Sequence, residues 1–177
     1  MPEDLQEMLF SHRHFGAELY LDDVLDVCEV AGADIAASCE VLKNWDRTSN
    51  VDSVGTHVWT GFWEQVRGTP GLFADAFDAS DPVNTPSRLA VGNAAVSEAI
   101  VAALTATQAR LAAAGIALDA KWGDVQFAER NGERIGIPGA VGSHGGFSYI
   151  VSDFTDGKGY TPIIHGNSYV QVVGWDK

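Results

Sequence analysis

Between Trp122 and Trp175, short runs rich in Val, Ile, Tyr and Phe alternate with glycine-containing sequences. The interrupting sequences are Asn131-Gly132, His144-Gly145-Gly146, Asp156-Gly157-Lys158-Gly159 and His165-Gly166-Asn167. Runs of β-favouring residues separated in this way are typical of strands joined by tight turns. We therefore predict a short antiparallel β block in residues 116–177, and we expect the preceding helices to pack on it or on one another.

Residues 1–115 carry apolar side chains mainly at helical spacing. The predicted helices cover residues 4–20, 22–32, 34–45, 53–66 and 90–114. Asp34 is a suitable N-cap for the third helix, and Asp52 or Ser53 for the fourth. Gly115 is a suitable C-cap for the last. The predicted fold class is α+β, with a helical first two thirds and a β last third in one segment, 1–177.

The predicted fourth helix carries Trp59, Phe62 and Trp63 on a broad apolar stripe. Such a stripe is typical of a helix that faces a protein core. We expect these rings to be core residues and not a ligand platform.

Residues 72–89 are predicted to form a loop. Pro82 and Pro86 stand among capping residues, and each proline disfavours helix at the residue before it. We expect this loop, with Phe73 and Phe77, to wrap over the protein surface.

Composition excludes some classes of protein. The chain is 46% hydrophobic, yet its longest apolar runs fall well short of the about 20 residues that cross a membrane. We predict no membrane span.

The charge of the chain is −13 and uneven, since residues 1–40 hold ten acids and only one base, Arg13. A nucleic-acid backbone would be repelled by such a surface. The acidic residues are interpreted as a solvated helical face, and no nucleic-acid partner is expected.

Cys28 and Cys39 are too few for a disulfide framework, and their spacing fits no zinc motif. Two buried thiols are the favoured interpretation, and a single disulfide is the alternative.

A Ser-His-Asp arrangement can be drawn from the residues near the predicted turns. The candidates are Ser143, His144, Asp153, His165 and Ser168. A nucleophilic serine of the α/β-hydrolase type would need a Gly-x-Ser-x-Gly elbow between a strand and a helix. Ser168 instead enters a strand-like run, so it is interpreted as a structural serine at a strand edge.

The remaining histidines and glycines do not form a recognisable site. His12 and His14 are two residues apart in a predicted helix, which places their rings on different faces and disfavours a metal site. His57 is interpreted as a partly exposed histidine. Residues 136–139 and 142–146 lack the Lys-Ser/Thr ending of a phosphate loop and are interpreted as turns. No metal and no cofactor is predicted.

A series of motifs along the chain resembles the later part of the β chain of penicillin-acylase-type enzymes, in the branch that acts on acyl-homoserine lactones and aculeacin-like lipopeptides. The motifs lie at residues 8–19, 41–56, 62–63, 77–86, 115–119, 122–126, 130–135, 146–147 and 165–173. The order of the motifs carries the resemblance more than any one motif does.

The resemblance implies an N-terminal-nucleophile hydrolase of αββα fold. In that family a precursor cleaves itself, and the new N-terminal serine attacks an amide with its own α-amino group as base. Met1 is not that serine, and the oxyanion-stabilising asparagine of the family precedes this region, so neither Asn131 nor Asn167 inherits its role. Family members also continue beyond the point that matches Lys177. An interior piece without catalytic residues is therefore expected.

The resemblance also implies partners. These are the α chain and the remaining β chain of the acylase, with an N-acyl small molecule as substrate and a periplasmic or secreted location. The opening residues lack the features of a secretory leader. An isolated piece is expected to expose apolar surface, to self-associate and to hydrolyse no amide.

Two alternatives remain. One is a stand-alone, non-catalytic acidic module that binds a partner through its acidic helices or through the loop at residues 72–77. The other is an independent serine hydrolase.

Overall fold

The computed structural model describes residues 2–167 and 169–174, so Met1, Ser168 and residues 175–177 lie outside the described residues. The helices are α1 (Pro2–Phe10), α2 (Phe15–Val30), α3 (Ala36–Asn44), α4 (Thr56–Val66), α5 (Ala94–Ala113) and the single turn α6 (Trp122–Val125). The strands are β1 (Phe73–Asp75), β2 (Ser87–Leu89), β3 (Phe127–Arg130), β4 (Glu133–Gly136), β5 (Ile150–Val151), β6 (Phe154–Thr155), β7 (Gly159–Tyr160) and β8 (His165–Gly166). The chain is 43% helical with short antiparallel strands, which confirms the α+β class. In the described ranges, no helix is both long and apolar enough to cross a membrane.

The core lies among α2, α4 and α5, and its centre is a group of packed aromatic rings. Trp59 and Trp63 stack with their centroids 5.6 Å apart, and Tyr20 stacks on Trp63 at 5.1 Å. Trp59 and Phe62 are fully buried, which confirms their prediction as core residues. The helices thus cover mainly one another, and the β block is attached to one side of them.

The predicted helix over residues 4–20 is wrong in its boundaries. Residues 11–14 interrupt it, and His12 has a φ of +51°. The backbone N–H of His14 donates to Arg47 O at 2.9 Å, and that of Phe15 donates to Gly145 O at 2.8 Å. These long-range bonds end α1 and start α2, which then continues to Val30 without a break.

The two cysteines form a disulfide, Cys28–Cys39, with Cα atoms 5.9 Å apart. The favoured interpretation as free thiols was therefore wrong, and the alternative is correct. The bond joins the last turns of α2 to α3 across a 3-10 turn, Ala33–Ile35. Asp34 lies within that turn and is not the N-cap of α3.

α4 begins later than predicted because its N-cap is Gly55, not Asp52 or Ser53. Gly55 has a φ of +125°, and a Cβ at this position would lie 2.7 Å from the Trp45 side chain. Only glycine fits between this turn and the Trp45 ring.

α5 confirms the predicted long helix with a later start. Asn93 is the N-cap, and its side chain accepts a hydrogen bond from Ala95 N at 3.0 Å. At the other end Gly115 has a φ of +71°, and Ile116 N donates back to Leu111 O at 2.9 Å. This is the glycine-terminated helix end that the sequence predicts.

Residues 72–89 are not entirely a loop, since β1 and β2 pair within them as an antiparallel hairpin. Leu72 is buried in the core and Phe73 packs on Tyr20 with ring centroids 5.4 Å apart. Core contacts therefore fix both ends of the segment. Phe77, between the strands, is 64% exposed.

The described residues of the β block form three antiparallel pairs, β3–β4, β5–β8 and β6–β7. Each pair is a separate two-stranded ladder, so the block is not one sheet, and residues 169–174 join no strand. Two side chains near α6 hold the segment that follows β4. Trp122 Nε1–H donates to Gly139 O at 2.9 Å, and Gln126 Nε2–H donates to Ile137 O at 2.9 Å.

Candidate polar cavity between the helices and the β block

A polar cavity of about 290 Å³ lies where α4 and α5 meet the β block. We call it the central cavity. The polar and ionisable side chains considered further among those that line it are Thr60, Glu64, Arg110, His144, Asp153 and Tyr160. Thr60 and Glu64 lie one helical turn apart on α4, which places both side chains on the same face.

His144 reaches the cavity from a tightly constrained loop. Residues Gly142–His144 form a 3-10 turn that ends at Gly145, whose φ is +92°. A Cβ on Gly16 would overlap the backbone of His144, and a Cβ on Gly145 would overlap the backbone of Gly16. The loop and the start of α2 are therefore in direct contact. The prediction of a turn in this glycine-rich stretch is confirmed.

The His144 ring is buried, and its Nε2 is in hydrogen-bond contact with Glu64 Oε1. Burial lowers the pKa of His144, and the nearby Glu64 carboxylate opposes that shift. The other ring nitrogen, Nδ1, is buried without a hydrogen-bond partner in the described structure. A neutral His144 that donates from Nε2 to Glu64 fits both observations.

His14 lies beside His144 in the core. Burial and the neighbouring His144 lower the pKa of His14 to about 3. Both ring nitrogens lack a partner within the described ranges, and the ring makes edge contacts with Trp45 at 5.6 Å and Trp59 at 6.2 Å. His14 is therefore a neutral core side chain at pH 7.

Arg110 and Tyr160 form the opposite side of the cavity. Arg110 Nε–H donates to Asp156 Oδ1 at 2.7 Å, and its guanidinium carbon lies 4.7 Å from the centre of the Phe154 ring. Burial raises the pKa of Tyr160, and Glu64 adds to this effect while Arg110 opposes it. The Tyr160 hydroxyl is therefore neutral and lies within the electrostatic influence of both charges.

The structure brings together only two of the residues proposed for a Ser-His-Asp arrangement. His144 and Asp153 both line the central cavity, but the hydrogen-bond contact of His144 is with Glu64. Ser143 is exposed, and His165 is exposed beside Tyr149. Ser168 lies outside the described residues.

A second, more apolar groove of about 450 Å³ lies beside α1. Here His12 Nδ1 lies 3.0 Å from Ser148 Oγ, a pair that resembles an activated serine. The Ser148 hydroxyl, however, donates to Leu9 O at 3.0 Å. Because a hydroxyl has one hydrogen, a Ser148 that donates to Leu9 O accepts from His12, and His12 is not its base in this arrangement.

The interpretation of His57 as partly exposed was wrong. The ring is fully buried, and Nε2 lies 3.0 Å from Ala117 O. Burial lowers its pKa. The connection between α5 and α6 supplies this carbonyl, and the sequence around His57 gives no sign of that contact.

The two asparagines considered for an oxyanion role have local structural contacts. Asn131 occupies the β3–β4 turn with a φ of +55°. Asn167 Oδ1 accepts from Tyr149 N at 2.9 Å, next to the β5–β8 ladder. In the described part of the chain, no cluster of three or more His, Cys, Asp or Glu side chains is suited to a metal ion.

Glu64, Arg110 and Tyr160 were not singled out by the sequence. Glu64 and Arg110 are single charges on the polar faces of long helices, a pattern that ordinarily indicates solvent exposure. Tyr160 follows the Asp-Gly-Lys-Gly turn, and nothing local distinguishes it from other strand aromatics. Their proximity arises from packing between residues far apart in sequence.

Comparison with known proteins places the chain in a family. The family model of penicillin amidase matches residues 1–177, so the chain belongs to the penicillin amidase family. This confirms the family indicated by the ordered motifs.

Acylases are among the chain's similar proteins. Acyl-homoserine lactone acylase PvdQ of Pseudomonas fluorescens is 32% identical over 98% of this chain, and that of Pseudomonas syringae pv. syringae is 34% identical over 99%. Aculeacin-A acylase of Actinoplanes utahensis is 31% identical over 96% of this chain. The chain spans only 22 to 23% of the length of these relatives.

Proposed function

We propose that this chain is a segment of a penicillin-amidase-type acylase that cleaves the amide of N-acyl substrates, and that it supplies scaffold and pocket walls without the nucleophile. The observation that carries the proposal is the match of the entire chain to one acylase family, with relatives named for acyl-homoserine lactone and aculeacin-A.

Two serine hydroxyls on the β block are engaged by backbone carbonyls. Ser148 donates its hydroxyl hydrogen to Leu9 O, and Ser152 donates its own to Thr161 O. Neither hydroxyl can at the same time donate to a base. Because the chain spans only 22 to 23% of the length of its relatives, we place the acyl-transfer chemistry in the remaining part of the longer protein.

Exposed apolar side chains support a scaffold role. On α1 and the start of α2 these are Leu5, Met8, Phe10 and Phe15, and on the β block they are Phe147, Ile164, Tyr169 and Val170. Phe10 is 62% exposed and Tyr169 is 78% exposed, although both are large apolar rings. Apolar surface of this kind marks interaction sites. We propose that the rest of the acylase covers this apolar surface in the longer protein. In the isolated chain, a second copy of the chain covers it instead.

The disulfide indicates the kind of cellular compartment in which the chain folds. Disulfides persist in oxidising environments and are rare in a reducing cytosol. Since Cys28 and Cys39 are paired and no other cysteine occurs, the chain fits a protein that folds in an oxidising compartment.

The test compares two proteins. The isolated chain and the full-length protein encoded by its gene are purified and assayed for release of acyl groups from an acyl-homoserine lactone and a penicillin. We expect activity only in the full-length protein, and light scattering should show association of the isolated chain. Steady turnover by the isolated chain that is abolished in Ser168→Ala would refute the proposal and support the independent serine hydrolase.

A matched control separates catalysis from folding. Ser148→Ala in the full-length protein removes the hydroxyl nearest to a histidine, and it should leave turnover per folded molecule unchanged. A gene that begins and ends with these residues would instead favour the stand-alone acidic module.

A further inference from the structure

The six asparagines of the chain lie in unequal environments. Five of them have a side chain that is hydrogen-bonded to another residue. These bonds join Asn44 to Glu40, Asn50 to Thr48, Asn84 to Asp81, Asn93 to Ala95 and Asn167 to Tyr149. The side chain of Asn131 makes no hydrogen bond to any described residue. Its amide is therefore the one that the described structure leaves unrestrained.

Asn131 lies at the tip of the β3–β4 hairpin and is the one asparagine in the sequence that a glycine follows. Asn131 has a φ of +55° and Gly132 a φ of +82°, as a two-residue hairpin loop requires. All residues from Ala128 to Ile135 are exposed, and a Cβ built on Gly132 would meet no atom within 4 Å. Neither bulk nor burial therefore shields the Gly132 nitrogen.

We propose that Asn131 is a site of spontaneous deamidation. The backbone nitrogen of Gly132 loses its proton to water and attacks Asn131 Cγ, and the side-chain nitrogen leaves as ammonia. The new N–C bond closes a five-membered succinimide ring. Water then adds to one of the two ring carbonyl carbons and opens the ring, either to aspartate or to isoaspartate, in which the main chain runs through Cγ. The site does not depend on the proposed acylase function.

The reaction requires the backbone at Asn131 to leave its turn conformation, and the hairpin permits this. The attacking and attacked atoms belong to adjacent residues, so ring closure is intramolecular. A two-stranded hairpin with exposed strands is only marginally stable, and such regions open locally at low cost in free energy. By contrast, the hydrogen bond from Ala95 N to the Asn93 side chain fixes that asparagine at the start of α5.

Isoaspartate would change the structure of the hairpin. It adds one carbon to the main chain within a loop of two residues, and loop length sets the register of a hairpin. The pairing of Arg130 with Glu133, next to the loop, should therefore be lost first. Either product also adds a negative charge near Glu133. We expect the modification to loosen β3 and β4 from their tip.

The test follows the modification in the full-length protein encoded by the gene. The protein is incubated at neutral and mildly alkaline pH, and peptide mapping by mass spectrometry measures deamidation at each asparagine over time. A synthetic peptide of residues 127–136 reports the rate without the fold. We expect aspartate and isoaspartate at position 131, formed faster at the higher pH, while the other five asparagines stay intact.

Three variants separate the effect of sequence from that of structure. Asn131→Gln keeps an amide but would need a six-membered ring, so it should stay unmodified. Gly132→Ala places a Cβ beside the attacking nitrogen and should slow the reaction several-fold. Ala94→Gly is the matched control, because it gives Asn93 a following glycine while the helix cap still restrains its side chain. Asn93 should remain intact in this variant.

Two results would overturn the proposal. The first is an intact Asn131 in the folded protein after the peptide has been fully converted, since the fold would then protect the site. The second is conversion of Asn93 in Ala94→Gly as fast as that of Asn131, since the hydrogen bonds of the other asparagines would then give no protection. Neither readout involves acyl transfer, so the acylase proposal stands or falls separately.

Discussion

In the helical part, side chains of α2, α4 and α5 share one apolar core, whereas the β block combines short two-stranded ladders with a few buried side chains, such as Trp122 and Ala140. Trp59 and Phe62 have no exposed surface, and their ring centroids lie 5.4 Å apart. In the β block, the strands of β3 and β4 are mostly exposed, and Trp122 and Gln126 fix the chain through backbone carbonyls. Removing a buried apolar side chain generally costs more free energy of unfolding than removing one hydrogen bond. We therefore predict that the helical part is the more stable region and that the β block depends on it for its own stability.

The largest expected effect is at the centre of the helical core. Trp59→Ala should lower the free energy of unfolding by about 3–5 kcal/mol, because it removes a fully buried ring and leaves a cavity. Urea denaturation measures the loss. Phe77→Ala, at a 64% exposed ring, is the control and should change stability by less than about 0.5 kcal/mol. Similar losses in both variants would contradict the assignment of the core.

Next in size is the disulfide that joins α2 to α3. Cys28→Ala with Cys39→Ala should cost about 3 kcal/mol, because the unfolded chain is no longer constrained by a bond across 11 positions. Thermal unfolding with and without reductant measures this. Reductant should destabilise the natural chain and have no effect on the double variant. An unchanged melting temperature after complete reduction would contradict the prediction.

The third effect depends on pH and arises from His14. Burial lowers its pKa from 6.5 to about 3, so the unfolded state takes up a proton in this interval and the folded state does not. Stability must therefore fall as the pH falls from 6.5 towards 3, by about 1.4 kcal/mol per pH unit for this group. His57 and His144, whose pKa values are also lowered by burial, act in the same direction.

The His14 contribution can be isolated by comparison with a variant that has no titrating ring. His14→Phe should have a shallower dependence of unfolding free energy on pH between 6.5 and 3 than the natural chain. Equal slopes in the two proteins would show that His14 is protonated in the folded state.

The smallest effect belongs to the β block. Trp122→Phe removes the hydrogen bond to Gly139 O, which still accepts from Gln126 Nε2 at 3.0 Å. A cost of about 1 kcal/mol is expected, confined to the β block. Amide hydrogen exchange should become faster around Gly139 and stay unchanged in α5. Equal acceleration in α5 would show that the two regions unfold as one unit.

The elements that the sequence predicted correctly are those that local interactions define. α5 has helix-favouring residues, an N-cap within its own first turn and a glycine that permits the left-handed end. The aromatic stripe of α4 has a periodicity that already indicates a buried face. The turns of the β block likewise depend on residues adjacent in sequence.

Two of the errors concern contacts between distant parts of the chain. The helix predicted over residues 4–20 is interrupted because residues near Arg47 and Gly145 bind the backbone at His14 and Phe15. The buried ring of His57 contacts the carbonyl of Ala117, which lies 60 positions away in sequence. The spacing of apolar residues within a helix or strand does not predict either contact.

The sequence by itself determined the α+β class, the long helix α5, the aromatic core face of α4 and the family. Spacing and residue type suffice for these properties because they repeat within a few residues or along an ordered series of motifs. Tertiary structure alone decided the pairing of Cys28 with Cys39, the burial of three histidines, and the meeting of Glu64, Arg110 and Tyr160 at one cavity. Burial and charge proximity are properties of packed surfaces, and packing joins residues whose positions in sequence are unrelated.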